Sequence, residues 1–466
     1  MVPGRELAGG TGAAGMPRVR RGGGGARRGL AGWSIYYLLL AVVGTLLAFG
    51  VIMVLSASSP TSYASTGDSY AVFKRQVVWV VAGLLLMLAI SRIDYRRWRR
   101  LGLPLLGLSL LGLLYVALHP SAVSSGGSTR WIPITAGVSV QPSEFAKLGL
   151  LLFAADVLTR KNKLLGDVRH LLVPVLPVTL VLAALVMSQP DLGTTLLLCS
   201  IAFGLLFIAG TPLPLLTLIC TLGLTGGLGL IMSAGYRRRR LLSFLNPAAD
   251  PQQNGWQILQ GRFALGSGGL LGVGLGASRQ KWSYVPNAHT DFIFAIIGEE
   301  LGLVGTLAVL VLFAAIAYAG IRAARHAPDP FGRYLAGGIT VWVVVQALVN
   351  IGAVVGVLPI TGVPLPLVSA GGSSMLVLLA AVGMLLNVAK REVWRSSVPV
   401  RATVAPADRR RRRPAPAARP VRAIPRTPDG RVHDPAGRRQ LRSAAAAGTP
   451  PRSTPPQHPP GGLRNR

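Results

Sequence analysis

Asp291 closes a polar, proline-broken segment, Val285-Pro286-Asn287-Ala288-His289-Thr290, and leads into the apolar run that starts at Phe292. A carboxylate at the mouth of an apolar helix is either a helix N-cap, which suits the helix dipole, or a group kept for chemistry, because ionisable side chains at a bilayer boundary are costly. The approach to it favours chemistry. Gly266, Gly268, Gly269, Gly272, Gly274 and Gly276 alternate with Leu and Ser, and Gln280-Lys281-Trp282-Ser283-Tyr284 follows. Glycine lets backbone come close to backbone or ligand, and an aromatic beside a Lys suits an amphiphilic molecule.

Further polar groups interrupt other apolar runs. Glu144 and Lys147 lie one helical turn apart after Gln141-Pro142-Ser143, where they can pair on one face. They are a structural ion pair or the lining of a polar cavity, and Ser143 is a candidate cap. Asp191 in Gln189-Pro190-Asp191-Leu192-Gly193-Thr194 reads as a turn residue capping the next helix. Glu299 and Glu300 fall two turns past Asp291, and one of them is expected to face the interior. Pro359 to Leu367, followed by Ser369-Ala370-Gly371-Gly372-Ser373-Ser374, is non-helical. It offers either close packing through small residues or a cradle of N–H and hydroxyl donors for a pyrophosphate or sugar. His119 and His289 have no companions at metal-ligand spacing, and Walker, Rossmann and G-x-S-x-G signatures are missing.

These groups need a membrane scaffold to hold them. The chain is 51% hydrophobic and 14% charged, with a net charge of +32 gathered in the two tails and a few loops. That distribution excludes a basic nucleic-acid-binding face and fits an all-α polytopic membrane protein. Apolar runs at 34–56, 74–91, 101–118, 143–159, 170–188, 192–210, 213–233, 292–320, 335–356 and 371–389 predict ten transmembrane helices. A large extracytoplasmic loop, 234–291, would then join helices seven and eight. The basic loops 92–100, 160–169 and 322–333 put that face, and both termini, in the cytoplasm. Arg237 to Arg240 fall on the outer face against this bias. Either the threading is off by one helix or these arginines serve an outer anion. Cys199 and Cys220 read as small buried side chains with no disulfide framework. No cleavable signal peptide is visible. Residues 1–33 and the Arg/Pro/Ala-rich 391–466 read as disordered tails flanking a 34–390 membrane domain. The C-terminal tail suits anionic lipid headgroups or docking of cytoplasmic partners.

Taken together, Pro286 to Phe294 with Gly298-Glu299-Glu300-Leu301-Gly302, Gln141 to Glu144 with Lys147, Gln189 to Thr194, and Gly362 to Pro366 with Ser369 to Ser374 resemble the signatures of the SEDS family (shape, elongation, division, sporulation). The resemblance is to its division branch more than to its elongation branch. The long basic tail and Asn287, where the family commonly has Glu, depart from the pattern. What the resemblance implies is an inverting peptidoglycan glycosyltransferase that polymerises lipid II into β-1,4 glycan on the outer face of the cytoplasmic membrane, at the division septum. Asp291 would be the general base on the acceptor hydroxyl, and undecaprenyl pyrophosphate would leave. Candidate substrate contacts are Glu144, Lys147, Arg130, Arg237, Arg240, Lys281, His289, Ser369, Gly371, Gly372 and Ser373. A divalent cation could assist at the pyrophosphate, though no all-protein site is legible. The implied partners are a class B penicillin-binding transpeptidase and, through the tails, other division proteins. The alternative in another class is a lipid II flippase, for which buried charges such as Glu144 and Lys147 would line a path; a scaffold that only recruits the transpeptidase is the third.

Overall fold

The computed structural model describes residues 24–397 apart from 120–122, 126–127, 136–137, 163–167, 234, 250–253, 283–284 and 286–287. Most of the N-terminal tail, the C-terminal tail from 398 onward, and Pro286 and Asn287 lie outside the described residues.

The chain is an integral helical membrane protein. Its helices are α1 (Gly24–Thr66), α2 (Ala71–Arg92), the short α3 (Tyr95–Trp98), α4 (Gly102–Leu118), α5 (Pro142–Arg160), α6 (Val168–Ser188), α7 (Leu192–Ile208), α8 (Leu213–Ser233), α9 (Gly235–Leu245), α10 (Asn254–Ser267), α11 (Ile293–Arg325), α12 (Pro330–Val355) and α13 (Gly372–Ser397). Among the described residues, seven helices are long and apolar enough to cross a bilayer: α1, α2, α3 continuing into α4, α8, α11, α12 and α13. The apolar segments Leu172–Ser188 of α6 and Leu192–Ile208 of α7 are shorter, and α5 carries Glu144, Lys147, Asp156 and Arg160 within 19 residues. Each of the ten apolar runs in the sequence falls on one of these helices.

α13 lies at the centre, against α1, α2, α11, α12 and α5. Its apolar window is 83% buried, whereas that of α8 is 6% buried. Cys199 and Cys220 are exposed, contrary to the expectation of burial. Apolar residues on the outside of a membrane bundle face lipid tails, so an apolar run does not say which side is covered.

Three features of the connections were not legible. The 119–142 segment contains a small antiparallel sheet of β1 (Val123–Ser125), β2 (Ser128–Thr135) and β3 (Val138–Val140), with β2 in the middle. The expected long loop 234–291 holds α9 and α10. α11 is broken at Gly302, where φ is 67°, a left-handed conformation that glycine adopts without steric cost. Val273 N and Gly274 N donate to the Glu299 and Glu300 carbonyls, and Leu303 N and Val304 N donate to Gly269 and Leu270. The glycine-rich segment therefore inserts into the break and takes up the backbone groups it frees, as an apolar surrounding demands.

At the far end of α11 from Asp291, Asp329 caps α12 through Gly332 N (2.8 Å) and accepts from Tyr95 Oη (2.5 Å) and Arg96 Nε (2.9 Å). Asn387 of α13 joins this clasp by accepting from Tyr95 N and donating to the Ser91 carbonyl. The α2–α3 and α11–α12 connections and α13 are thereby tied at one end of the bundle, and the other end carries the candidate site.

Candidate active site

The backbone before α11 is fixed at three successive carbonyls. Ala370 N donates to His289 O at 3.0 Å. Ser369 Oγ donates to Thr290 O at 2.7 Å and accepts from Leu365 N. Asn350 Nδ2, on α12, donates to Asp291 O at 2.8 Å and to Val363 O at 2.8 Å. The N-cap of α11 is Phe292, and no side chain caps it there. The helix begins one residue too late for the capping reading of Asp291. Ser143 is likewise not a cap, because Gln141 holds that position and Pro142 opens α5.

Asp291 is half-buried and faces Gly362, whose φ of +71° keeps the 359–371 segment in a left-handed turn. A Cβ built on Gly362 would lie 3.5 Å from Asp291 Oδ2 and 3.9 Å from Arg130 Nη1. The two charged groups therefore converge on one small space. Arg130 stands on β2, where its Nη2 donates to Pro190 O (3.0 Å) and its Nη1 lies 3.4 Å from Asp191 Oδ2. Asp191 caps α7 as expected, accepting from Thr194 N (3.0 Å) and Thr194 Oγ1 (2.8 Å). The sheet that the sequence did not announce thus delivers the cation, and the α7 cap orients it.

Beside this point lies a cavity of about 220 Å³ lined in part by Arg75, Trp79, Trp131, His289, Gly371 and Gly372. His289, Gly371 and Gly372 are among the residues singled out from sequence; Arg75, Trp79 and Trp131 are not. Gln76 braces the wall, donating to Ser369 O (3.4 Å) and accepting from Gly371 N (3.2 Å). Burial pulls the His289 imidazole below its usual value, which favours the neutral ring. An arginine, two indoles and a glycine-opened helix start suit a sugar with an attached anion.

Other predicted contacts sit elsewhere. Lys281 is buried, and its Nζ is taken by Glu300 Oε1 (3.1 Å), Gly276 O (2.7 Å) and Ser56 Oγ (3.2 Å). It is a latch rather than an open substrate contact. Ser56 of α1 also donates to both Glu300 oxygens (2.6 and 2.8 Å). Glu299 accepts from Ser278 Oγ and from Arg279 N (2.9 Å), so both glutamates face inward where one was expected. Glu144 and Lys147 form a pair at 2.9 Å, with side chains 6% and 1% exposed. The Lys147 ammonium sits 5.0 Å from the Trp342 ring centre. The pair is enclosed by helices and takes the structural of the two forms open in the sequence. Ser369 is occupied by Thr290 and Leu365, and Ser373 Oγ accepts from Gln141 N (3.3 Å). Arg237 and Arg240 lie on α9, and their side chains fall outside the described residues.

Among the described residues, no three His, Cys, Asp or Glu side chains gather to hold a metal. Asp191, the carboxylate that approaches the same arginine as Asp291, is already committed to Arg130 and Thr194. The described residues around Asp291 and Arg130 do not form a cage for a divalent cation.

Residues 36–393 match the family model described as "Cell cycle protein", which groups FtsW, RodA and SpoVE. The chain is 41% identical over 357 residues to a probable peptidoglycan glycosyltransferase FtsW of Mycobacterium tuberculosis, covering 77% of this chain and 68% of that protein. It is 40% identical over 353 residues to stage V sporulation protein E of Bacillus subtilis, covering 76% and 96% of the two. Among solved structures, a chain from a peptidoglycan synthase complex that coordinates polymerisation and crosslinking aligns with a TM-score of 0.62 at 29% identity, covering 77% of this chain and 98% of that one. The rod shape determining protein RodA of Thermus thermophilus aligns with a TM-score of 0.54 at 27% identity, covering 76% and 96%. With its matched region spanning most of the sequence and its fold shared with these structures, the chain belongs to the FtsW/RodA/SpoVE family of cell cycle proteins, the SEDS family.

Proposed function

We propose that the chain is a peptidoglycan glycosyltransferase that polymerises lipid II, with Asp291 as the general base. The observation that carries this is the convergence of Asp291 Oδ2 and Arg130 Nη1 beside Gly362, next to a cavity with an arginine and two tryptophans. Asp291 removes the proton from the acceptor sugar's hydroxyl. The freed oxygen attacks the anomeric carbon of the donor from the face opposite the leaving group. The anomeric C–O bond breaks, undecaprenyl pyrophosphate departs with the electron pair, and an α-linked donor becomes a β-1,4 bond in one inverting step. Arg130 and Arg75 stabilise the charge developing on the pyrophosphate. Arg237 and Arg240 are further candidates for this anion.

In this reading ten helices cross the membrane, with α9, α10 and the glycine-rich segment as the outer insertion between the seventh and eighth. The charge distribution supports it. Arg322 and Arg325 end α11 at the far end from Asp291. Arg92 and Arg160 end α2 and α5, whose starts meet α13 and the segment before it through Gln76 and Gln141. The positive-inside bias supports an outer-face position for Asp291, the side on which, in this reading, the lipid-linked sugars are polymerised. The relatives' names support the chemistry, and the synthase complex supports a class B transpeptidase as partner. A division-site location and tail contacts with other division proteins complete the reading.

Purified protein with such a transpeptidase is expected to convert lipid II into glycan polymer. Vesicles that translocate lipid II while making no polymer would overturn the reading in favour of transport.

A further inference from the structure

One face of α12 carries Trp342, Gln346 and Asn350 at successive i, i+4 spacings, all buried. Trp342 Nε1 donates to Gln346 Oε1 at 2.9 Å, and Gln346 Nε2 donates to Pro364 O at 3.0 Å. One turn on, Asn350 gives both its amide hydrogens away, to Val363 O and to Asp291 O. Its own Oδ1 is buried without a partner. At the other end, the Trp342 ring seats the Lys147 ammonium, which is held by Glu144. Polar contacts therefore run from the closed Glu144–Lys147 pair through Trp342 and Gln346 to the Pro364 carbonyl, and a second set runs from the adjacent Val363 carbonyl through Asn350 to the main chain of Asp291.

We infer that Asn350, with Gln346 bracing the same segment through Pro364, is a positioning residue for Asp291. The inference rests on the reading of Asp291 as the base. Two physical points carry it. A carboxamide that leaves a buried oxygen unpaired is costly, so its two donors must hold something that an apolar residue could not. What they hold is the one peptide carrying the candidate base, clamped to the segment that includes Gly362. Pro364 and Val363 are non-helical and buried or partly buried, and their carbonyls need donors in an apolar setting. Asp291 differs from them because its side chain reaches the reacting space. A displacement of the base by about 1 Å can lower the rate on the order of 100-fold without weakening substrate binding.

The test is steady-state polymerisation of lipid II by the full-length protein with its transpeptidase, together with a thermal unfolding curve. Asn350→Leu is expected to lower kcat by at least about tenfold with KM for lipid II within about threefold. Asn350→His, which restores one donor near the same place, is expected to regain part of that kcat. Gln346→Met is expected to show the same split more weakly, and it serves if Asn350→Leu does not fold. A folded Asn350→Leu with kcat within about twofold of the parent would overturn the inference. So would equal loss of kcat and thermal stability in both variants, which would make the ladder a packing device. If Asp291→Ala itself still polymerised, the base assignment would fall, whatever Asn350 does.

Discussion

Removing the Lys281 ammonium tests whether that residue is a latch or a substrate contact. Its side chain is 6% exposed and that of Glu300 is 0% exposed. Breaking a buried pair by deleting one partner costs about 3–5 kcal/mol, because the other charge is left uncompensated. Ser56 still donates to both Glu300 oxygens, which points to the lower end. Lys281→Met is therefore expected to lose about 3 kcal/mol, about a hundredfold in the folding equilibrium. The double variant Lys281→Met/Glu300→Gln removes both charges of this pair and is expected to recover to within about 1 kcal/mol of the parent. Unfolding titrations in mixed detergent micelles, followed by circular dichroism, measure both values. Lys281→Met within about 0.5 kcal/mol of the parent, or a double variant no more stable than the single, would rule out the latch. A variant of normal stability with weakened lipid II binding would return Lys281 to the list of substrate contacts.

Gly362→Ala is expected to lose about 1–2 kcal/mol from its left-handed conformation and to lower polymerisation further, because the new methyl stands between Asp291 and Arg130; stability and rate measured on one preparation separate the two effects. Arg130→Lys cannot reach Pro190 O and Asp191 with one planar fork, so kcat is expected to fall by about 100-fold, and parental activity would remove Arg130 from the mechanism. His289 is pushed down by burial, so the unfolded chain takes up its proton first as pH falls below about 6.5. Stability conferred by the neutral ring is therefore full above that value and declines as acid is added. Melting temperatures are expected to drop more between pH 7.5 and pH 5.5 for the parent than for His289→Gln, and equal drops would contradict this (both pH values are about one unit either side of the reference).

The helices were legible because a membrane span is written as a long apolar run, and each such run falls on a helix. The site was legible only where a polar residue interrupts one. Asp291, His289, Gly371 and Gly372 stand at or beside such interruptions; the last three line one cavity, and Asp291 faces Gly362. Asn350, Gln346 and Trp342 do not stand out, since single polar or aromatic residues inside α12 carry no local signal of what they face. Arg75 lies in the first turns of α2 and Trp131 on β2, and their partners are set by the packing of distant helices. Lys281 misled for the opposite reason. A lysine in a polar loop looks available, but its partner Glu300 arrives only when the glycine-rich segment folds into the break at Gly302. The bend itself could be suspected from Gly298 and Gly302, yet nothing in the local pattern says that a loop will fill it.

In the proposed reaction Asp291 is the proton acceptor at the outer mouth of α11. The most direct measurement is lipid II polymerisation by Asp291→Asn, purified with its transpeptidase partner and checked for an unchanged melting temperature and partner binding. The same shape without the basic carboxylate should yield no glycan polymer. Polymer at the parental rate from that variant would contradict the account.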